Sequence, residues 1–213
     1  MTDLRTPLDP VSAAIADSGL VAILRAPTAG GFSVVADVLV SAGITALEVT
    51  LTSQGALDAI AALRRRLPPD AIIGAGTVLT PDDARAAVDA GASFLVSPVL
   101  DTLAGQSVPC YPGAYTPTEV YRAHLAGAPM VKLFPAGGLT PAYLKDLRGP
   151  LPHVRILPTG GINLDDITAW LTAGASAVGL GGPLVGDAAT GGSLTALAAR
   201  AKRAVDAVAQ ARS

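Results

Sequence analysis

The sequence predicts a single α/β domain over residues 1–213, a (β/α)8 TIM barrel with one extra N-terminal helix. Three observations lead there. Eight short apolar runs alternate with longer helical patterns along the chain. An Ala-Gly pair recurs just before a strand candidate, in "SAGITAL", "DAGASFL", "LAGAPMV" and "TAGASAV". The chain has 213 residues, half of them hydrophobic, which is enough for one sizeable core. A doubly wound open sheet is the alternative that the same alternation allows.

Taken in order, a helix over about residues 10–18 comes first, capped by Asp9, ended by Gly19 and placed to cover the bottom of the barrel. The strand candidates are "LVAILR" (20–25), "ITALEVTL" (44–51), "AIIGAG" (71–76), "SFLVS" (93–97), "VPCYPG" (108–113), "PMVKLF" (129–134), "VRILPTG" (154–160) and "SAVGLG" (176–181). They are apolar on both faces, as strands of a parallel sheet buried on both sides should be. Helices between them start at Thr80-Pro81, Thr116-Pro117 and Thr140-Pro141, where each Thr can cap and each Pro can take the first helical position. They end at Gly43, Gly91, Gly127 and Gly174, each suited to the left-handed conformation that terminates a helix. The last helix, "LTALAARAKRAVDAVAQA", closes the outer ring, and "GDAATGG" (186–192) reads as a loop.

Composition narrows the function. A net charge of −2 argues against a general nucleic-acid binder. No run of about 18 apolar residues predicts a membrane span, and the N-terminus lacks a signal-peptide pattern, so a cytoplasmic protein is expected. The single cysteine, Cys110, rules out an intrachain disulfide and reads as a small buried strand residue. His124 and His153 read as surface residues and predict no metal site.

The chemistry starts from "PMVKLFPA". Among only three lysines, Lys132 sits inside an apolar strand, where a buried ammonium is costly. One of only two glutamates, Glu48, lies in another apolar strand and shares a face with Thr50 and Thr52 by period-two alternation. A buried structural ion pair is one reading. The other is a nucleophilic amine with an acid/base partner: a lysine attacks a carbonyl only when neutral, and desolvation favours that form. In a barrel the C-terminal strand ends carry the chemistry. Arg25, Thr77, Ser97-Pro98 and Phe134 fall there too. So do Thr159-Gly160-Gly161 and Gly181-Gly182, after strands seven and eight, where backbone N–H groups can cradle a phosphate. Arg25 can fork a carboxylate. "GAGTVL" lacks the third glycine of a dinucleotide fingerprint.

With these residues assembled, the sequence resembles the 2-keto-3-deoxy-6-phosphogluconate (KDPG) and 4-hydroxy-2-oxoglutarate (KHG) aldolase family over about residues 12–208. The segments "LEVTLTS", "IIGAGTVL", "FLVSP", "YPGAYTPTE", "VKLFPA", "LPTGGI" and "GLGGPLV" stand in the family's order. The resemblance implies a class I, pyruvate-forming lyase of carbohydrate metabolism in the Entner-Doudoroff pathway. It implies a homotrimer with no metal or other cofactor beyond a covalent lysine imine. Lys132 is then the Schiff-base residue and Glu48 the general acid/base. Arg25, Thr52 and Thr77 match positions at the pyruvate portion, with Pro98 and Phe134 lining the pocket. Thr159, Gly160, Gly161, Gly181 and Gly182 match positions near the hydroxylated chain and its phosphate. The implied partners are a phosphorylated keto acid, pyruvate and glyceraldehyde 3-phosphate.

Three departures accompany the match. Thr52 stands where some members carry arginine, leaving the carboxylate to Arg25. Gly182 stands where many carry serine, which removes a hydroxyl from the phosphate site. The segment "LDTLAGQS" is short by about one helical turn, so the fourth outer helix should be stunted or absent and apolar surface left exposed or used between subunits. The 6-phosphogalactonate epimer and 4-hydroxy-2-oxoglutarate are alternative substrates for the same lysine chemistry. More distant readings are a phosphosugar isomerase or synthase barrel and a non-catalytic assembly scaffold.

Overall fold

The structure, a computed structural model, describes residues 7–100 and 105–213. Its elements are α1 (Pro10–Ser18), β1 (Leu20–Leu24), α2 (Phe32–Ser41), β2 (Ala46–Thr50), α3 (Ala56–Arg66), β3 (Ile72–Gly76), α4 (Pro81–Asp89), β4 (Leu95–Val96), β5 (Cys110–Tyr111), β6 (Gly113–Ala114), α5 (Pro117–Leu125), β7 (Val131–Leu133), α6 (Pro141–Arg148), β8 (Ile156–Pro158), α7 (Ile167–Thr172), β9 (Val178–Leu180), α8 (Gly182–Val185) and α9 (Leu194–Arg212). Every predicted strand run contains a strand. The fifth is split into β5 and β6 around Pro112, which has no N–H to give to a ladder.

The strands pair in parallel in a curled sheet. Six run in the order β5-β4-β3-β2-β1-β9 and three in the order β6-β7-β8. The register sets Ile23, Glu48 and Gly74 side by side across β1, β2 and β3. It likewise sets Gly113, Lys132 and Leu157 across β6, β7 and β8. Beyond the ladders, the Ser176 N–H donates to the Ile156 carbonyl at 2.8 Å and an isolated parallel bridge joins Thr159 to Gly179.

Alternation divides each strand between two buried layers. Leu47 and Val49 of β2, Ile73 and Ala75 of β3, and Val131 and Leu133 of β7 pack outward with helix residues such as Phe32, Leu39, Ile60 and Leu197. Ile15, Val21, Ala46, Phe94, Val96, Tyr111, Met130, Leu157 and Ala177 form a separate inner cluster. Burying each large apolar side chain is worth about 1.5–3 kcal/mol, so the outer layer carries most of the hydrophobic stabilisation. Helix α1 sends Ile15 into the inner cluster, and its Ser12 hydroxyl bonds the Tyr111 phenol at 2.8 Å. The N-terminal helix therefore covers the inner layer at the end where the strands begin.

The predicted helix ends are present, with one exception. Asp9 Oδ1 accepts the Ser12 N–H at 2.9 Å, and capping boxes join Thr80 to Asp83 and Thr116 to Glu119. Thr140 makes no side-chain cap bond, so that start relies on the fixed φ of Pro141. Gly43, Gly91, Gly127 and Gly174 adopt φ between +88° and +101°. The 186–192 loop contains a 3-10 turn at Ala188–Thr190, and the glycine segment before it winds into the short α8.

Between β4 and β5 no helix forms among the described residues, and 101–104 of the shortened segment lie outside them. A groove of about 300 Å³ opens there, lined by Leu100, Val108, Cys110, Ala123 and Pro129 among others. No helix among the described residues is long and apolar enough to cross a membrane.

Candidate active site

The alternation that sends Val131 and Leu133 outward turns Lys132 inward, to the side of Met130. There it meets Glu48, turned inward by the same alternation on β2. Lys132 is 4% exposed and Glu48 1%. Nζ stands 4.0 Å from Glu48 Oε1 and 4.9 Å from the centre of the Phe134 ring. Glu48 Oε1 is buried with no hydrogen-bond partner. A buried ion pair offsets its desolvation only with close, hydrogen-bonded geometry, and this pair lacks it. The two groups are buried side by side, just beyond hydrogen-bond distance.

Glu48 fits because Gly76 has no side chain. A Cβ at position 76 would overlap Oε1, Cδ and Cγ of Glu48. At Gly74 a Cβ would overlap the Phe94 ring, and at Gly179 the Thr159 hydroxyl. Sequence reasoning weighed Gly74 and Gly76 only as a dinucleotide loop and passed over Gly179. The available signal was a glycine inside a strand, which often marks a close approach.

Arg25, at the end of β1, donates to Thr52 Oγ1 at 3.3 Å and to Thr77 Oγ1 at 3.0 Å. The Thr52 hydroxyl donates to Thr50 Oγ1 at 3.3 Å, and Thr50 donates to the Leu24 carbonyl at 3.1 Å. Ser53 adds to this network by accepting the Ala26 N–H at 3.2 Å. Thr77 is the only non-glycine at positive φ among the described residues, +57°. That conformation follows the end of β3 and turns its hydroxyl to the guanidinium. The arginine is thus oriented by two hydroxyls while its guanidinium stays exposed.

The other candidates lie on neighbouring strand ends. Thr159 is buried, its hydroxyl donating to the Leu157 carbonyl at 3.2 Å and its N–H to that of Leu133 at 3.0 Å. Gly160 and Gly161 take φ of +85° and +78°, and a Cβ on either would press on Phe134 or Gly137. Packing alone therefore demands glycine at both. Gly181 begins the turn into α8, its carbonyl accepting the Leu184 and Val185 N–H groups. A Cβ at Gly182 would meet nothing within 4 Å. Pro98 is half-buried beside Gly113, where a Cβ would overlap the Pro98 carbonyl.

Elsewhere, Cys110 is half-buried, and burial pushes its thiol up to about 11, which leaves it a poor nucleophile. Burial also pushes the Tyr111 phenol far above its ordinary value. His124 and His153 meet with ring centres 4.7 Å apart. Among the described residues no group of three or more His, Cys, Asp or Glu side chains is placed to hold a metal.

The structure is thus a curled parallel α/β protein with an amine and a carboxylate buried together on its inner side and an exposed guanidinium at the end of β1. The chain belongs to the KDPG and KHG aldolase family, whose sequence pattern matches residues 11–195. It is 42% identical over 144 residues to the 2-dehydro-3-deoxy-phosphogluconate aldolase of Pseudomonas aeruginosa. That match spans 64% of each chain, slightly less than two thirds of the relative. It is 33% identical over 171 residues to the 2-dehydro-3-deoxy-6-phosphogalactonate aldolase of Escherichia coli K12, spanning 78% of this chain and 83% of that one. Among solved structures it is similar to a KDPG aldolase from Legionella pneumophila with pyruvate captured as a covalent carbinolamine, at TM-score 0.82 and 30% identity over 91% of this chain and 97% of that one.

Proposed function

We propose that the protein is a class I aldolase that cleaves 2-keto-3-deoxy-6-phosphogluconate reversibly to pyruvate and glyceraldehyde 3-phosphate. The observation that carries this reading is the buried Lys132–Glu48 pair, 4.0 Å apart with Oε1 unpartnered. The Lys132 amine adds to the C2 carbonyl to give a carbinolamine, which loses water to form a protonated imine. Glu48, through a water, takes the C4 hydroxyl proton. The electrons of the C3–C4 bond then pass to the iminium, releasing the aldehyde and leaving an enamine on Lys132. Protonation at C3 and hydrolysis return the amine and free pyruvate. The iminium serves as the electron sink, so the route calls for no metal.

Arg25, with Thr52 and Thr77 behind it, is the proposed carboxylate clamp, and Pro98 and Phe134 the pocket walls. Thr159, Gly160, Gly161, Gly181 and Gly182 are the proposed contacts to the hydroxylated chain and phosphate. The open space at Gly182 leaves only backbone donors there. The proposal includes a closed eight-stranded barrel. It is supported by the single residue between β5 and β6 and by the Thr159–Gly179 bridge from the end of β8 to β9. It also includes the homotrimer that the family resemblance implies and the cytoplasmic location expected from the sequence.

The test is borohydride reduction in the presence of pyruvate, followed by peptide mass mapping. The expected product is a reduced pyruvyl adduct on Lys132, and a wild-type protein with no adduct there would sink the mechanism. Comparing kcat/KM on the phosphogluconate compound, its galactonate epimer and 4-hydroxy-2-oxoglutarate identifies the preferred substrate.

A further inference from the structure

Gly76 closes β3, and its partner across the ladder to β2 is Thr50. Glu48 lies two residues back on β2, so it and position 76 are diagonal neighbours on the inner face. Gly76 does not adopt a positive φ; that conformation falls on the next residue, Thr77. The backbone at 76 is therefore outside the left-handed region that favours glycine. What forbids a side chain is space, since a Cβ would overlap Oε1, Cδ and Cγ of Glu48. The carboxylate that would be displaced is the one facing Lys132 at 4.0 Å with a free buried oxygen.

We propose that Gly76 is a positioning residue for the reaction: its missing side chain is the space that holds the Glu48 carboxylate within reach of the atoms bonded to Lys132. The inference rests on the aldolase reading above. A methyl group at 76 would drive the carboxylate off its position and disable proton transfer, while leaving Lys132 free to form its imine. Gly76 touches no reacting atom and acts only through Glu48.

The experiment is a cycle of wild type, Gly76→Ala, Glu48→Ala and the double variant. Its readouts are kcat for cleavage of 2-keto-3-deoxy-6-phosphogluconate, borohydride trapping with pyruvate, and thermal unfolding. In the wild-type background Gly76→Ala should lower kcat by about 100-fold or more, the scale of a positioned acid/base, with the pyruvate adduct on Lys132 retained. In the Glu48→Ala background, where the space is empty, the same substitution should cost less than about threefold in residual activity, because double-mutant cycles isolate the shared term. Equal losses in both backgrounds, or loss of the pyruvate adduct in Gly76→Ala, would overturn the inference by making Gly76 a general strand or pyruvate-site requirement. If Gly76→Ala alone does not fold, the double variant decides. It should fold with the Tm of Glu48→Ala and trap pyruvate, and a double variant that is unfolded or unreactive overturns the proposal. Absence of an adduct in the wild type would instead remove the aldolase reading itself.

Discussion

Two buried polar pairs lie on the inner side of the sheet, and they are built to opposite standards. Where the strands begin, the Ser12 hydroxyl and Tyr111 phenol meet at 2.8 Å, with the Tyr111 ring tilted against Phe94 at 5.6 Å. Each group satisfies the other, as buried hydroxyls in a folded protein should. Further along the strands, Lys132 and Glu48 stand 4.0 Å apart and Glu48 Oε1 has no hydrogen-bond partner. The first pair serves to fasten α1 to the sheet. The second bears the cost of burial without closing the contact that would offset it, which makes sense if substrate atoms complete it.

The sharpest way to break this comparison is to make each pair apolar. Lys132→Met combined with Glu48→Met removes the proposed nucleophile and the proposed acid/base together. Cleavage should fall by at least about 10⁴-fold, since little beyond binding then remains to catalyse it. Stability should hold or rise by about 1–4 kcal/mol, the usual result of replacing a buried ion pair by apolar side chains of similar volume. A circular-dichroism melt with Tm well below wild type would mean that the pair fastens the fold after all.

The scaffold was far more legible than the contacts within the site. Strands buried on both faces announce themselves as apolar runs, and Ala-Gly helix ends repeat in the text of the sequence. Lys132 and Glu48 were legible for the same reason, as charges in those runs. Period-two alternation gives the face of a residue and not its neighbours, because neighbours depend on register between strands distant in sequence. So the place of Gly76 against Glu48 could not be read, although the glycine itself was in view. The Thr140 cap failed and α8 escaped notice because both turn on local side-chain and backbone bonds that composition leaves open. The Gly160-Gly161 pair was read for phosphate, yet close packing against Phe134 and Gly137 also demands it.

Smaller effects sharpen the fastening side of the comparison. Tyr111→Phe leaves the Ser12 hydroxyl buried without its partner, at a cost of about 1–3 kcal/mol. For a chain of this length that lowers Tm by about 3–10 °C. Adding Ser12→Ala should recover part of the loss, because no polar group is then stranded. Throughout, kcat per folded molecule should stay within about threefold of wild type, and a larger drop would show that the two ends of the sheet are coupled.

The smallest effect concerns pH, at the same end of the strands. His124, at the end of α5, faces His153 before β8, and Arg155 adds positive charge nearby. Burial, then these neighbours, hold the His124 imidazole below its ordinary value of 6.5. Its folded value is therefore depressed relative to the unfolded chain, and the unfolded state binds the proton more readily. The stabilising contribution is complete above the unfolded value and is lost as pH falls through the folded one. Melts between pH 7.5 and 5 should show Tm falling on the acid side, and His124→Gln should flatten that fall. An unchanged slope in the variant would move the acid sensitivity to other groups. Because the pair sits away from Lys132, the acid-side loss should appear in the fraction folded before it appears in the rate of the folded molecules.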